Sequence, residues 1–523
     1  MKNQLLSKTS LLTILLLMAC SDTLLDKTNP NGGTPASFYA NENQLTAGVN
    51  AIYASIQSYN LMGREWFFTN DLRGDEMMAG GGQLEAPRLA LLIGTNNTTN
   101  AVAQSVYTGL AQTILRANEV IDGSVNTKDI SDATLARLVG EAKFLRAWSY
   151  YEWVTLWGGV PLITAVPQSI ADASQPRASV DEIYTFLIND LTAIQADLPI
   201  SYSGKDVGRA TRGAAQALLG RVYMTKGDYA AAKPELLKVY NSGTYSLVTN
   251  YEDNFKEETP FNAESIFEIG YAGTNFNWNG TGDDNGSNNE GISRTQEYSA
   301  IAWRNLVPAI NLLNAYEATT ATVPDAKTDP RFKFNFYSKG DFFNNGNSQI
   351  EVTADGGVQG NTVTYQGVAQ KISWKKYTSL YKNNSTFYTG PMNLRIIRFA
   401  EVIVNLAECE IEVGSLAQAT TYLNLIRSRP GVAMPALPTS KYLMDTKTNA
   451  FASLQHEKMV EFAGEQLRNK DILRWRKNGK FVAYGISEPI SYFQANKYEL
   501  LPIPQVEFST NAKLVSSDQN PGY

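Results

Sequence analysis

Beyond about Phe38, apolar residues recur at three- and four-residue steps through most of the chain, a period that predicts amphipathic helices rather than strands. Between 399 and 429, Phe399, Val402, Ile403, Leu406 and Val413 follow one helical face. Gly414 is placed to close that helix in a left-handed conformation, and Ser415 with Gln418 offers a capping box for the next. The second helix carries Leu416, Ala419, Leu423 and Ile426, so the pair reads as a helical hairpin. Residues 208–240 repeat the scheme: Gly227 and Asp228 make the turn, and Ala230 to Ala232 permit close contact between helices. Blocks near 110–156 and 180–197 supply further helices that can pair with their neighbours.

The turn at Gly227, followed by Tyr-Ala-Ala-Ala, is similar to a tetratricopeptide hairpin, although the spacing between units is irregular. From about 241 to 395 the periodicity gives way to Gly/Asn-rich segments, notably 273–291 and 339–367, which interrupt short helices and hairpins. Structureless stretches of that length in a compact protein are usually functional or disordered. The predicted fold is therefore mainly α, with tetratricopeptide-like helical hairpins packed against an irregular loop-rich region containing minor β-hairpins.

The first 19 residues break the pattern. A polar start with Lys2 and Lys8 precedes an apolar stretch from Leu11 to Met18, then Ala19 and Cys20. The apolar stretch falls well short of the roughly 20 residues that span a bilayer, so 1–19 reads as a secretory signal. Leu17, Ala19 and Cys20 resemble a bacterial lipobox, whose cysteine is lipidated and becomes the first residue of the mature chain. Residues 20–37, rich in Asn, Pro, Gly and Thr, read as a flexible tether, and 38–523 as one domain. The other of the two cysteines, Cys409, sits in an apolar helical pattern as a small core residue; no intramolecular disulfide is expected.

Charge and candidate chemistry narrow the function. A net charge of −6 offers no basic patch for a phosphate backbone, which argues against nucleic acid as a partner. His456, the single histidine, lies in a helix-like run and reads as a surface residue; a zinc site or histidine-based triad would need partners the chain does not supply. Glu457, Glu461 and Glu465 share a helical face at glycosidase-like spacing, but Lys458, Arg468 and Lys470 nearby favour ordinary ion pairs along the helix. An EF-hand placed on 283–291 fails, because Thr281 and Ile292 would occupy its first and last ligand positions. No cofactor is expected; a looser calcium site stays an open alternative.

Several blocks taken in order resemble one family. The lipobox, 71–77 (DLRGDEM), 141–162, 208–223, 328–332 (TDPRF), 398–414, 464–475 (GEQLRNKDILRW) and the final 24 residues are similar to the SusD/RagB lipoproteins of the Bacteroidetes outer membrane. This resemblance implies a non-catalytic protein on the cell surface, lipid-anchored through Cys20. It would capture an oligosaccharide and pass it to a SusC-like TonB-dependent transporter. A RagB-like role in peptide import is the main alternative, ahead of a glycan-hydrolysing enzyme or a scaffold that uses its hairpins to grip other proteins.

A glycan site wants aromatic faces for sugar C–H groups beside planar polar side chains for hydroxyls. Two stretches offer that mixture. In 63–82, Trp66, Asn70, Asp71, Arg73, Asp75 and Glu76 precede a glycine run, and the resemblance implies ligand contacts from Trp66, Arg73 and Asp75. The competing reading packs Trp66 and Phe67 inside and pairs Arg73 with Asp75. In 271–289, Tyr271, Phe276 and Trp278 stand in a polar loop, with Trp278 either a stacking platform or a ring folded back onto the body. Tyr298 and Trp303 are weaker candidates nearby.

Overall fold

Polar caps open the long helices where the sequence changes from loop to apolar period. A computed structural model describes residues 38–82, 84–272, 291–317, 329–350, 362–365, 367–383, 390–480, 490 and 492–523. Within them the principal helices are α1 (Glu42–Gln57), α2 (Ala101–Gly123), α3 (Asp132–Trp157), α4 (Val180–Ala193), α5 (Arg212–Lys226), α6 (Tyr229–Tyr240), α7 (Phe399–Val413), α8 (Leu416–Arg427), α9 (Lys447–Glu461) and α10 (Arg468–Lys477). Asn41, Asn100, Ser131, Ser179, Thr211, Asp228, Ser415 and Thr446 each accept a first-turn backbone N–H at the start of α1 to α6, α8 and α9.

Each helix from α1 to α8 packs on the next in chain order, and α7 also lies against α9. The result is the run of helical hairpins that the periodicity predicts. Between α5 and α6, Gly227 adopts φ +82°, a left-handed cap that favours glycine. The α7–α8 turn departs from expectation: Gly414 has φ −138° and is not left-handed. A Cβ there would fall 1.8 Å from the Glu410 carboxylate, which accepts the Ser415 N–H instead of a capping-box glutamine, so a side chain at 414 would have to displace that contact. The second half of α3 and nearly all of α7 are buried on every side, as befits helices at the centre of a large core. Cys409 is buried and free.

Strands are short and paired in twos among the described residues. Strand β1 (Met77–Ala79) pairs antiparallel with β3 (Leu306–Pro308), and β2 (Ser265–Ile269) with β4 (Leu394–Arg398). Hairpins 342–349 and 363–370 are local, as expected; these two pairings instead join segments far apart in sequence. Among the described residues no helix is long and apolar enough to cross a membrane.

A buried ion-pair lattice locks α9 to β4 and α8. Arg331 pairs with Asp329, Glu457 and Glu461; Arg398 with Glu264, Glu461 and Glu465; Arg427 with Glu457; Arg429 with Glu264 and Glu461. Burial alone would raise the Glu461 carboxyl, yet Arg429, Arg398 and Arg331 together hold it at about 2. The three acids thus pair with cations from distant segments, which corrects the expectation of ion pairs with neighbours on their own helix. His456 is likewise buried rather than on the surface, its ring stacked 3.8 Å from that of Tyr442.

Candidate functional site

The segment singled out around Trp66 is a keystone of the core. Trp66 is 4% exposed; its indole N–H donates to Glu152 at 2.8 Å, and Lys470 closes on the same carboxylate at 2.9 Å. Phe67 packs inside against Tyr298, whose hydroxyl donates to Asp71. Arg73 and Asp75 do not pair with each other. Arg73 donates to the backbone carbonyls of Tyr498 and Glu499, and Asp75 accepts two bonds from Arg468 at 2.7 and 2.9 Å. The carboxyl of Glu76 is pushed by burial to about 8 and accepts the Gly464 N–H. The solvent-facing placement expected for Trp66, Arg73 and Asp75 is therefore corrected. The polar atoms of Arg73 and Asp75 are spent on segments roughly 400 positions away, where the carbonyls of 498–499 and Arg468 of α10 receive them, while Trp66 is tied to Glu152 of α3.

What this keystone holds up is a half-exposed aromatic ledge. Tyr59, in the turn after α1, and Trp303 both pack against the Arg64 guanidinium, whose carbon sits 5.2 Å from the Tyr59 ring centre and 5.8 Å from that of Trp303. Such cation–π packing holds the two rings in place. Burial disfavours the charge of Arg64, but the Glu297 carboxylate and the Tyr59 hydroxyl beside it hold its pKa above the ordinary value. Arg64 also reaches Glu85 at 3.3 Å, and that half-exposed carboxylate marks the rim.

Backbone strain positions Trp303. Arg304 adopts φ +50°, which a long side chain rarely does outside over-determined sites. Its buried guanidinium donates to Ser373 Oγ at 2.7 Å and to the Ile372 carbonyl at 2.8 Å, and burial pulls its pKa down to about 10. Gly80 donates its N–H to Asn305, and a Cβ there would sit 1.7 Å from the Arg304 carbonyl; only glycine allows this approach. The glycine run 80–82 thus forms an edge of the ledge.

Tyr271 supports the ledge from below. It is 7% exposed, its N–H donates to Asn393, and its hydroxyl reaches the Gln57 carbonyl at 3.4 Å, at the end of α1. Trp278 and Phe276 lie outside the described residues, as do the acids of 283–290; among the described residues no cluster of metal-ligating side chains occurs. Tyr298 is fully buried. Tyr59 and Arg64 escaped the sequence reading, because nothing local joins a tyrosine and an arginine to a tryptophan some 240 positions away.

Helical hairpins carrying an aromatic ledge on strained, glycine-edged loops define a binding scaffold. Two family models match the chain: the SusD family over residues 263–523, and a model described as starch-binding, associating with the outer membrane, over 25–224. The chain belongs to the SusD family, whose members are non-catalytic binding proteins. It is 28% identical to SusD-like protein P2 of Formosa agariphila, across 98% of this chain and 99% of that one. Among solved structures, a laminarin-binding SusD-like protein is 25% identical with a TM-score of 0.73, covering 93% of this chain and 100% of that one. Surface glycan-binding protein A from Bacteroides thetaiotaomicron, solved with laminarihexaose, shares the fold at 21% identity and a TM-score of 0.71, covering 91% and 99%.

Proposed function

We propose that the protein captures a neutral oligosaccharide at the cell surface and delivers it to a SusC-like TonB-dependent transporter, held at the outer membrane by a lipid on Cys20. The half-buried Trp303, packed with Tyr59 against Arg64, carries this reading. Sugar C–H faces stack on such rings, and the half-exposed Glu85 carboxylate at the rim offers acceptors to hydroxyls. Trp278 is proposed as a second platform, and Tyr271 as a buried support of the ledge. Trp66, Arg73 and Asp75 act by holding the ledge in place. The likeness to a laminarin-binding relative along the whole domain supports a glycan over a peptide.

The test is calorimetric titration of residues 21–523 carrying Trp303→Ala against neutral oligosaccharides. Affinity falls at least tenfold with an unchanged melting temperature if the ring stacks on sugar. Unchanged affinity removes Trp303 from the site, and binding of peptides alone reassigns the cargo.

A further inference from the structure

A second aromatic cleft opens on the hairpin side of β2. It is an open cleft of about 220 Å³ between the loop before α5 and residues 244–268. Tyr202, Tyr245 and Phe261 line it, with Val207 on the rim.

The rings are held in a particular way. Phe261 adopts φ +50°, a strained conformation for a bulky residue, and its N–H donates to both oxygens of Glu268 at 3.2 Å. Glu268 is in turn fixed by Asn393 at 2.6 Å and Arg395 at 3.3 Å. The ring lies against two glycines: a Cβ would meet it at 2.7 Å from Gly208, itself at φ +100°, and at 3.0 Å from Gly270. The Tyr245 hydroxyl bonds Thr211 at 2.9 Å, and that of Tyr202 bonds the Ala210 carbonyl at 3.2 Å. Tyr245 is stacked on Phe399 at 6.4 Å between ring centres, so with both hydroxyls tied to the protein the cleft meets a ligand through the partly exposed faces of Tyr202 and Phe261 and the outer side of Tyr245.

Charge is compensated throughout. Arg209 is bound by Asp206 at 2.7 Å, Glu141 at 3.1 Å and Asn50 at 2.8 Å, and Glu268 by Arg395. No unspent charge invites an ionic ligand, while the exposed Ser201 and half-buried Thr244 leave hydroxyls at the edge. Apolar ring faces with a neutral hydroxyl rim match a pyranose better than an anion or a charged peptide. The cleft also adjoins the ledge: Gly270, against Phe261, accepts from Gln57 at 2.6 Å, and Gln57 stands two residues before Tyr59.

We propose that this cleft is a second carbohydrate site, taking neutral pyranose units of the same glycan class as the ledge. The inference rests on the glycan reading above. Its test is titration of residues 21–523 with linear neutral hexasaccharides of the β-1,3- and α-1,4-glucan series, reading stoichiometry. Two ligands bind per chain; Trp303→Ala removes one, and Phe261→Ala removes the other or weakens it at least tenfold. Val207→Glu, on the exposed rim, repeats the second result without touching the strained backbone. One ligand per chain, lost to Trp303→Ala and indifferent to both cleft variants, overturns the second site while leaving the ledge reading intact. Absence of binding to any hexasaccharide in the unaltered protein overturns both.

Discussion

Replacing Asp75 by Asn separates a residue that builds the site from one that touches ligand. Both Asp75 oxygens accept from Arg468, and the two side chains are at most 5% exposed. The amide removes the negative charge and turns an N–H toward the guanidinium, leaving a buried cation short of its counterion. Breaking one side of such a pair costs about 3–5 kcal/mol. An unfolding entropy of about 2.1 cal/mol/K per residue, taken over roughly 490 residues, gives about 1 kcal/mol/K at the melting point. Asp75→Asn should therefore lower the melting temperature by about 3–5 °C in scanning calorimetry. Glycan affinity at the remaining folded temperatures should stay within about twofold, since a lost ligand hydrogen bond to a charged group would cost more than that. A tenfold loss of affinity with an unmoved melting temperature would refute the argument and put Asp75 at the ligand.

Three further outcomes follow from the same structure and sequence. Because burial raises the Glu76 carboxyl to about 8, the folded state holds a proton that the unfolded state releases near the ordinary carboxylate value. Its stabilising contribution is complete below about pH 4.5 and is lost as pH rises through 8, a decline of a few kcal/mol that Glu76→Gln should flatten in melting curves taken from pH 5 to 8. Cys20→Ala should move the protein from the membrane fraction to the soluble one on cell fractionation; retention in the membrane would refute lipid anchoring there. Trp278→Ala should weaken glycan binding at least fivefold by titration while leaving the melting temperature unchanged, and a large melting shift would place that ring in the core.

The helical half of the fold was legible because its determinants are local. The apolar period, the caps at Ser415 and Asp228 and the Gly227 turn lie within a few residues of what they control. The site was legible only in part. Polar residues from Asp71 to Glu76 read as surface, yet each is buried because α10, residues 464–466, 294–298 and the carbonyls at 498–499 complete its bonds. Glu457, Glu461 and Glu465 misled in the same way, and His456 was drawn into the core by stacking on Tyr442. Periodicity reports which face of an element is apolar; it carries no record of a charged partner hundreds of residues away. Trp303 read only as a weaker candidate in the loop-rich half, and its partners Tyr59 and Arg64 come from the other end of the chain.

Capture of a neutral glycan without chemistry is the central claim, and the most direct measurement is titration calorimetry of residues 21–523 against neutral oligosaccharides, polysaccharides and mixed peptides, with product analysis of the same samples. Saturable binding of one glycan series, recovered intact, is the predicted result. Binding of peptides with silence toward every glycan, or the appearance of shortened saccharides, would contradict it.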